Sequence, residues 1–180
     1  MRHQPRSLLR TLARTVLPVG ALLTLLPAQA VTTTTTFQVT ATVLKACLMT
    51  TPATLAFGPY DPASATALAG TTSLNVTCTF GTPYSLGLSA GGGSGATITN
   101  RLMTSPTAAA GNNTLGYGLF KDSAHQTNWD NSVAGTGYVG NGTPQTQTIY
   151  GLIPTGQYTA APAIDYTDTI TVSLTYRGRR

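Results

Sequence analysis

The chain has 180 residues, of which 41% are apolar and only 8% charged, and it contains no glutamate. Its formal charge of +5 includes Arg2, Arg6, Arg10 and Arg14; beyond residue 30, six Lys and Arg stand against five Asp, a net charge of +1. Nucleic-acid binding needs a basic patch on the folded domain, and the only basic cluster here is Arg177, Arg179 and Arg180, which reads as a solvated tail.

In chain order, the first element is a leader. Four arginines precede the apolar run Val16–Leu26, and Ala28-Gln29-Ala30 follows as a small-residue cleavage site. That three-part order predicts a secretory signal peptide over residues 1–30, cut after Ala30. A membrane anchor needs about 20 apolar residues, whereas this run is shorter and contains Pro18. The mature chain is expected to be exported, without a membrane span. Residues 31–180 are enough for one domain with a sizeable core, and their Thr-, Ala- and Gly-rich, charge-poor composition favours strands and turns over helices.

Residues 32–47 read TTTTTFQVTATVLKAC. Phe37, Val39, Ala41 and Val43 alternate with Gln38, Thr40 and Thr42, the period of a strand with one apolar face. A short strand is predicted over Ala53–Phe57, ending at Gly58-Pro59, and then a loop to Gly70. Leu74–Phe80 alternates, with Leu74, Val76, Cys78 and Phe80 sharing a face, and a turn at Gly81–Pro83 leads to a strand over Tyr84–Leu88. GGGSG at 91–95 is a loop tip; further strands are predicted around Ile98 within Ala96–Met103, over Leu115–Phe120, over Thr146–Leu152 and over Asp168–Tyr176. Seven or eight strands separated by turn signals predict an all-β antiparallel sandwich without internal repeats.

Two cysteines, Cys47 and Cys78, follow the leader. An even count in an exported chain predicts a disulfide; a two-thiol metal site or free buried thiols are the alternatives, and zinc would need two further ligands from His125 and scattered aspartates.

The motifs of catalysis do not assemble. GGGSG lacks the Gly-Lys-Ser/Thr ending and following helix of a phosphate loop. His125 has no nucleophile elbow to serve and reads as a surface-loop residue. Asp165 and Asp168 resemble turn residues before the last strand rather than a carboxylate pair flanking a cleft. Trp129 with Tyr138 and Asn131 offers a sugar-site reading, against which stands a partly buried loop anchor. Neither an enzyme nor a cofactor is expected.

Several stretches carry a family likeness. LNVTCTFGTPY at 74–84, Arg101-Leu-Met103, LGYGLFKD at 115–122, Trp129, Thr148-Ile-Tyr-Gly151, Ile153-Pro154 and DYTDTITVSLTY at 165–176 resemble, in order, the spore coat protein U domain family. That family in turn looks like the pilin subunits of archaic, Csu-type chaperone–usher pili. The resemblance implies an immunoglobulin-like sandwich lacking its final strand. A periplasmic chaperone would fill the gap first; the N-terminal extension of another subunit would then replace it as subunits pass an outer-membrane usher, a form of strand addition. On this reading residues 31–46 are an N-terminal extension, residues 47–180 the domain, and Phe37, Val39, Ala41 and Val43 the groove-filling face of a donor strand. The implied role is a structural subunit of a surface pilus for attachment or biofilm formation. The alternatives are a first strand that completes its own sandwich, a non-polymerising secreted coat protein, and a carbohydrate-binding module using the loops around Trp129.

Overall fold

The computed structural model describes residues 29–178. The signal peptide expected over residues 1–30 lies outside these but for its last two residues, as do Arg179 and Arg180 of the basic tail. Among the described residues there is no helix, and none therefore crosses a membrane.

Residues 29–40 carry no strand and their side chains are exposed. Beyond them lie eight strands: β1 (Cys47–Met49), β2 (Leu68–Cys78), β3 (Pro83–Leu88), β4 (Arg101–Thr104), β5 (Thr114–Phe120), β6 (Tyr138–Val139), β7 (Gln145–Ile153) and β8 (Val172–Tyr176). They form two antiparallel sheets, one ordered β1-β2-β7-β5-β4 and the other β6-β3-β8. The chain is thus an all-β sandwich of the immunoglobulin-like kind.

Parity decides what goes inside. Leu74, Val76 and Cys78 of β2, Leu115, Tyr117 and Leu119 of β5, and Ile149 and Ile153 of β7 meet Tyr84, Leu86 and Leu88 of β3 in one core. Strand β3 is buried on its other face as well, because the loop after Trp129 lies over it. Gly135 N–H donates to Ser85 Oγ at 3.0 Å, and a Cβ on Gly87 would stand 2.8 Å from Asn131 Oδ1. Gln157 extends the β5–β7 pairing past Ile153: its side chain accepts from Gly116 N–H at 2.7 Å and donates to Gly116 O at 2.8 Å, pairing as a backbone amide would.

The structure departs from the sequence reading at several places, among them the start of β2 at Leu68, inside the expected loop, and the short strands β1 and β6, which were not expected. Ala53–Phe57 forms no strand; Thr72 Oγ1 donates to Ala53 O at 2.7 Å, a side-chain bond in place of a ladder, while Leu55 and Phe57 lie on the glycine surface of β2 and β7. A Cβ on Gly151 would stand 2.7 Å from Phe57 Cζ, so only glycine leaves that space. Phe80 does not continue the inward face of β2: the strand ends at Cys78, Thr82 N–H donates to Thr79 O at 3.0 Å, and the turn leaves Phe80 85% exposed. The strand expected around Ile98 begins only at Arg101, since Thr97 and Asn100 close a local turn by bonding each other. The last strand starts at Val172 rather than Asp168, whose carboxylate is engaged elsewhere.

Candidate functional site: an open sheet edge and an apolar N-terminal segment

Two edges of the sandwich matter here. β1 pairs only with β2, and β8 pairs only with β3, so each leaves one side of its backbone outside the described ladders. Such an edge is a template for another strand. The side chains of this margin are incompletely covered. Ile170, Val172 and Leu174 are half-buried, as are Leu55 and Phe57, whereas Leu48 and Tyr176 are exposed. In a closed sandwich the inward residues of a last strand are fully covered; here Leu86 and Leu88 of neighbouring β3 are 2% and 0% exposed, and their partners on β8 are not.

The segment read as a donor strand has no strand conformation in this chain. Phe37, Val39 and Val43 are 87%, 84% and 85% exposed, and Ala41 is exposed with them. Its apolar residues are therefore not part of this chain's core.

The cysteines read as a pair are bonded: Cys47 of β1 and Cys78 of β2 form a disulfide between paired positions in the ladder. The bridge closes a loop of sequence separation 31, and a loop of that size contributes about 3–4 kcal/mol in the chain-entropy model. Cys47→Ser is expected to lower the unfolding free energy of the oxidised protein by that amount, read as a fall in the urea midpoint, and dithiothreitol to lower wild type to the same level. An unchanged midpoint would show that the bridge does not hold β1.

Sequence reading missed one residue at this margin. Arg101 is fully buried, and its guanidinium donates to four main-chain carbonyls. Nε reaches Ser89 O at 2.8 Å, Nη1 reaches Ile98 O at 2.7 Å, and Nη2 reaches Leu88 O at 3.1 Å and Trp129 O at 2.8 Å. One side chain thus ties together β3, the GGGSG loop and the Trp129 loop. Burial lowers its pKa, opposed by nearby Tyr117 and Asp168. Tyr117 O–H donates to Asp168 Oδ2 at 2.7 Å, and burial, then Asp168, pushes that phenol up. Asp168 also accepts from Gly92 N–H at 2.8 Å, which secures the approach to β8. Two signals in the sequence pointed here: an arginine in a charge-poor chain, and its place two residues before Met103 on a strand face that looks inward.

The other aspartate before the last strand is likewise a fastener. Asp165 accepts from Ser105 Oγ and from Thr107 Oγ1, and these bonds hold its carboxyl below the usual range. Among the described residues no three His, Cys, Asp or Glu gather as metal ligands. His125 sits edge-on to Phe120, with ring centroids 5.3 Å apart.

The sugar-site residues do not converge on an open surface. Trp129 is buried, 1% exposed, and its Nε1–H donates to Leu86 O at 3.1 Å, so its ring is core rather than platform. Tyr138 stacks on Tyr84 at 5.3 Å, and Asn131 packs over Gly87.

The described residues thus form an antiparallel sandwich whose edge strands β1 and β8 each have one partner, preceded by an exposed apolar stretch. The chain belongs to the Spore Coat Protein U domain family, whose profile matches residues 33–173 and so spans the N-terminal segment as well as the sandwich. Protein U of Myxococcus xanthus is 34% identical over an alignment of 182 residues that covers 93% of this chain and 98% of that protein. A chain in the crystal structure of the CsuC–CsuE chaperone–tip adhesion subunit pre-assembly complex, from archaic chaperone-usher Csu pili of Acinetobacter baumannii, is 23% identical. That match has a TM-score of 0.48 and covers 74% of this chain and 40% of that one.

Proposed function

We propose that this chain is a structural subunit of a chaperone–usher type surface fibre that polymerises by donor-strand complementation. Residues 31–46 are its extension and residues 47–180 its domain. Phe37, Val39, Ala41 and Val43 of one copy fill the margin between β1 and β8 of another, with Gln38, Thr40 and Thr42 facing out. A periplasmic chaperone covers that margin before assembly, an outer-membrane usher passes the subunits on, and the finished fibre serves attachment or biofilm formation at the cell surface.

One observation carries the reading: the same chain has a half-covered last strand and an exposed apolar segment of strand period. Each is costly alone. Exposed apolar side chains forgo about 25 cal/mol per Å² of burial, and an open edge invites aggregation. Joined in trans, they relieve each other. Burying Phe37, Val39 and Val43 contributes roughly 5–9 kcal/mol, at about 1.5–3 kcal/mol for each side chain, and main-chain pairing adds to it. Membership in the family supports the fold on which this reading rests.

The test is a deletion. Residues 31–43 are removed while the leader is kept, and the cell-surface fraction is run unboiled on a denaturing gel. The intact chain is expected to give a ladder of multimers, and the deleted chain only a monomer bound to its chaperone. A folded monomer from the intact chain that unfolds on deletion would instead place the strand in its own sandwich and end the fibre reading.

A further inference from the structure

We propose that the exposed apolar surface of Phe80 and Leu44 is a second contact between successive copies of this chain, seated on the loop of the next copy that carries Tyr158 and Ile164. The proposal rests on the donor-strand reading and names a partner surface that reading leaves open.

The surface is a groove at one pole of the sandwich, lined by Thr42, Val43, Leu44, Lys45, Thr79 and Phe80. Its two walls are fastened to each other. Thr79 N–H donates to Ala46 O at 2.9 Å, Ala46 N–H donates to Thr79 Oγ1 at 3.2 Å, and the Cys47–Cys78 bridge lies directly behind. Lys45 is its single charge. Single exposed apolar residues are ordinary, but Leu44 and Phe80 are exposed together on one preformed surface, as interaction patches are.

Reach brings this surface to the next copy. Val43 is four residues before Cys47, a span of at most about 14 Å at ~3.5 Å per residue. A donor strand that ends at Val43 therefore holds the accepting copy within that distance of the pole that carries Phe80.

Which end of the accepting copy arrives there follows from topology. Strand β2 runs from Leu68, opposite Ile153, to Val76, opposite Gln145, so Phe80 and Pro154 lie at opposite poles about 30 Å apart at ~3.4 Å per residue. Tyr176 pairs with Tyr84 and shares the Phe80 pole, whereas Val172 pairs with Leu88 at the far one. The Phe80 pole is already taken by the chain's own residues 42–46. The far pole is free of them, and a strand whose Val43 end lies there runs antiparallel to β8, the pairing more stable per residue. That far pole presents the loop after β7, with Tyr158 70% exposed and Ile164 fully exposed. The loop is firm: Ala161 N–H donates to Asn112 O at 2.7 Å, and Tyr166 O–H to Ala161 O at 2.7 Å. Two different apolar surfaces at opposite poles make a heterologous contact, which repeats along a fibre instead of closing on itself. The second contact then helps to set the angle between successive subunits.

The experiment places a benzophenone side chain, p-benzoylphenylalanine, at Phe80 of the full-length chain. Surface fibres are assembled from mixed isotope-labelled and unlabelled copies, irradiated and mapped by mass spectrometry. The expected product joins residue 80 of one copy to residues 156–164 of another. A normal unboiled ladder without that product, or with residue 80 joined to residues 80 or 176 of another copy, overturns the contact and leaves the donor strand standing. Failure of the unsubstituted chain to form any ladder overturns the donor strand, and the contact falls with it.

Discussion

Replacing Phe37 by aspartate is expected to abolish the unboiled ladder, with at least a hundredfold loss of multimer, while the domain itself still folds. The side chain lies outside this chain's core, so its own sandwich loses nothing. In the accepting copy the change removes about 1.5–3 kcal/mol of apolar burial and brings a carboxylate into an apolar groove, where an unpaired charge is far costlier. Each 1.4 kcal/mol is tenfold in the equilibrium, so these terms together exceed two powers of ten. The control is one residue away. Gln38→Asp puts the same charge on the outward face and is expected to keep the ladder, because successive strand residues point to opposite sides. Equal loss from both substitutions would mean that the charge acts through something other than the groove. Normal fibres from Phe37→Asp would remove the donor assignment altogether.

Arg101→Ala is expected to be the most damaging single change to the domain, about 4 kcal/mol or more by urea denaturation. Four carbonyl oxygens, those of Ser89, Ile98, Leu88 and Trp129, lose their donor at once. Each buried acceptor left alone costs about 1–3 kcal/mol, and the space left by the side chain adds a cavity. A domain of this kind has about 5–15 kcal/mol in total, so the variant will show low yield as well as a low midpoint. Arg101→Lys separates charge from geometry. It keeps the cation but lacks the planar fork that spans several acceptors, and an intermediate loss is expected. Full stability in Arg101→Lys would show that charge alone matters there; full stability in Arg101→Ala would show that the four bonds are dispensable. Loosening this knot also frees the loop that Asp168 secures ahead of β8, so fibre yield is expected to fall with stability.

Much of this was legible in the residues. Strict alternation named the inward sets of β2 and β5, and the strand after Gly81–Pro83 was found within one residue of its start. Two cysteines in an exported chain named their own partner. The family likeness rested on stretches between residues 74 and 176, and the match over residues 33–173 extends it toward the N-terminus. The strand period of Phe37–Val43 was equally plain, although this chain alone gives it no strand to pair with.

What the amino-acid sequence determined by itself is therefore periodic and local: which segments extend, which side of each is apolar, and which two thiols remain to bond. A side chain's parity is set by its neighbours in sequence, so it survives without knowledge of the fold. Tertiary structure alone decided where that parity stops and what covers each face. Phe80 keeps the period of β2 but is turned outward, because the chain reverses at Thr79–Thr82 to start β3. Trp129, read as a partly buried loop anchor with a sugar site as the alternative, is fully core, its indole N–H bonded to Leu86 O. Arg101 is buried because carbonyls of Ile98, of Leu88 and Ser89 and of Trp129 converge on it, and the span from Leu88 to Trp129 exceeds any short window. The half-covered margin beside β8 likewise follows from its place at the edge of its sheet, which no local stretch of sequence announces.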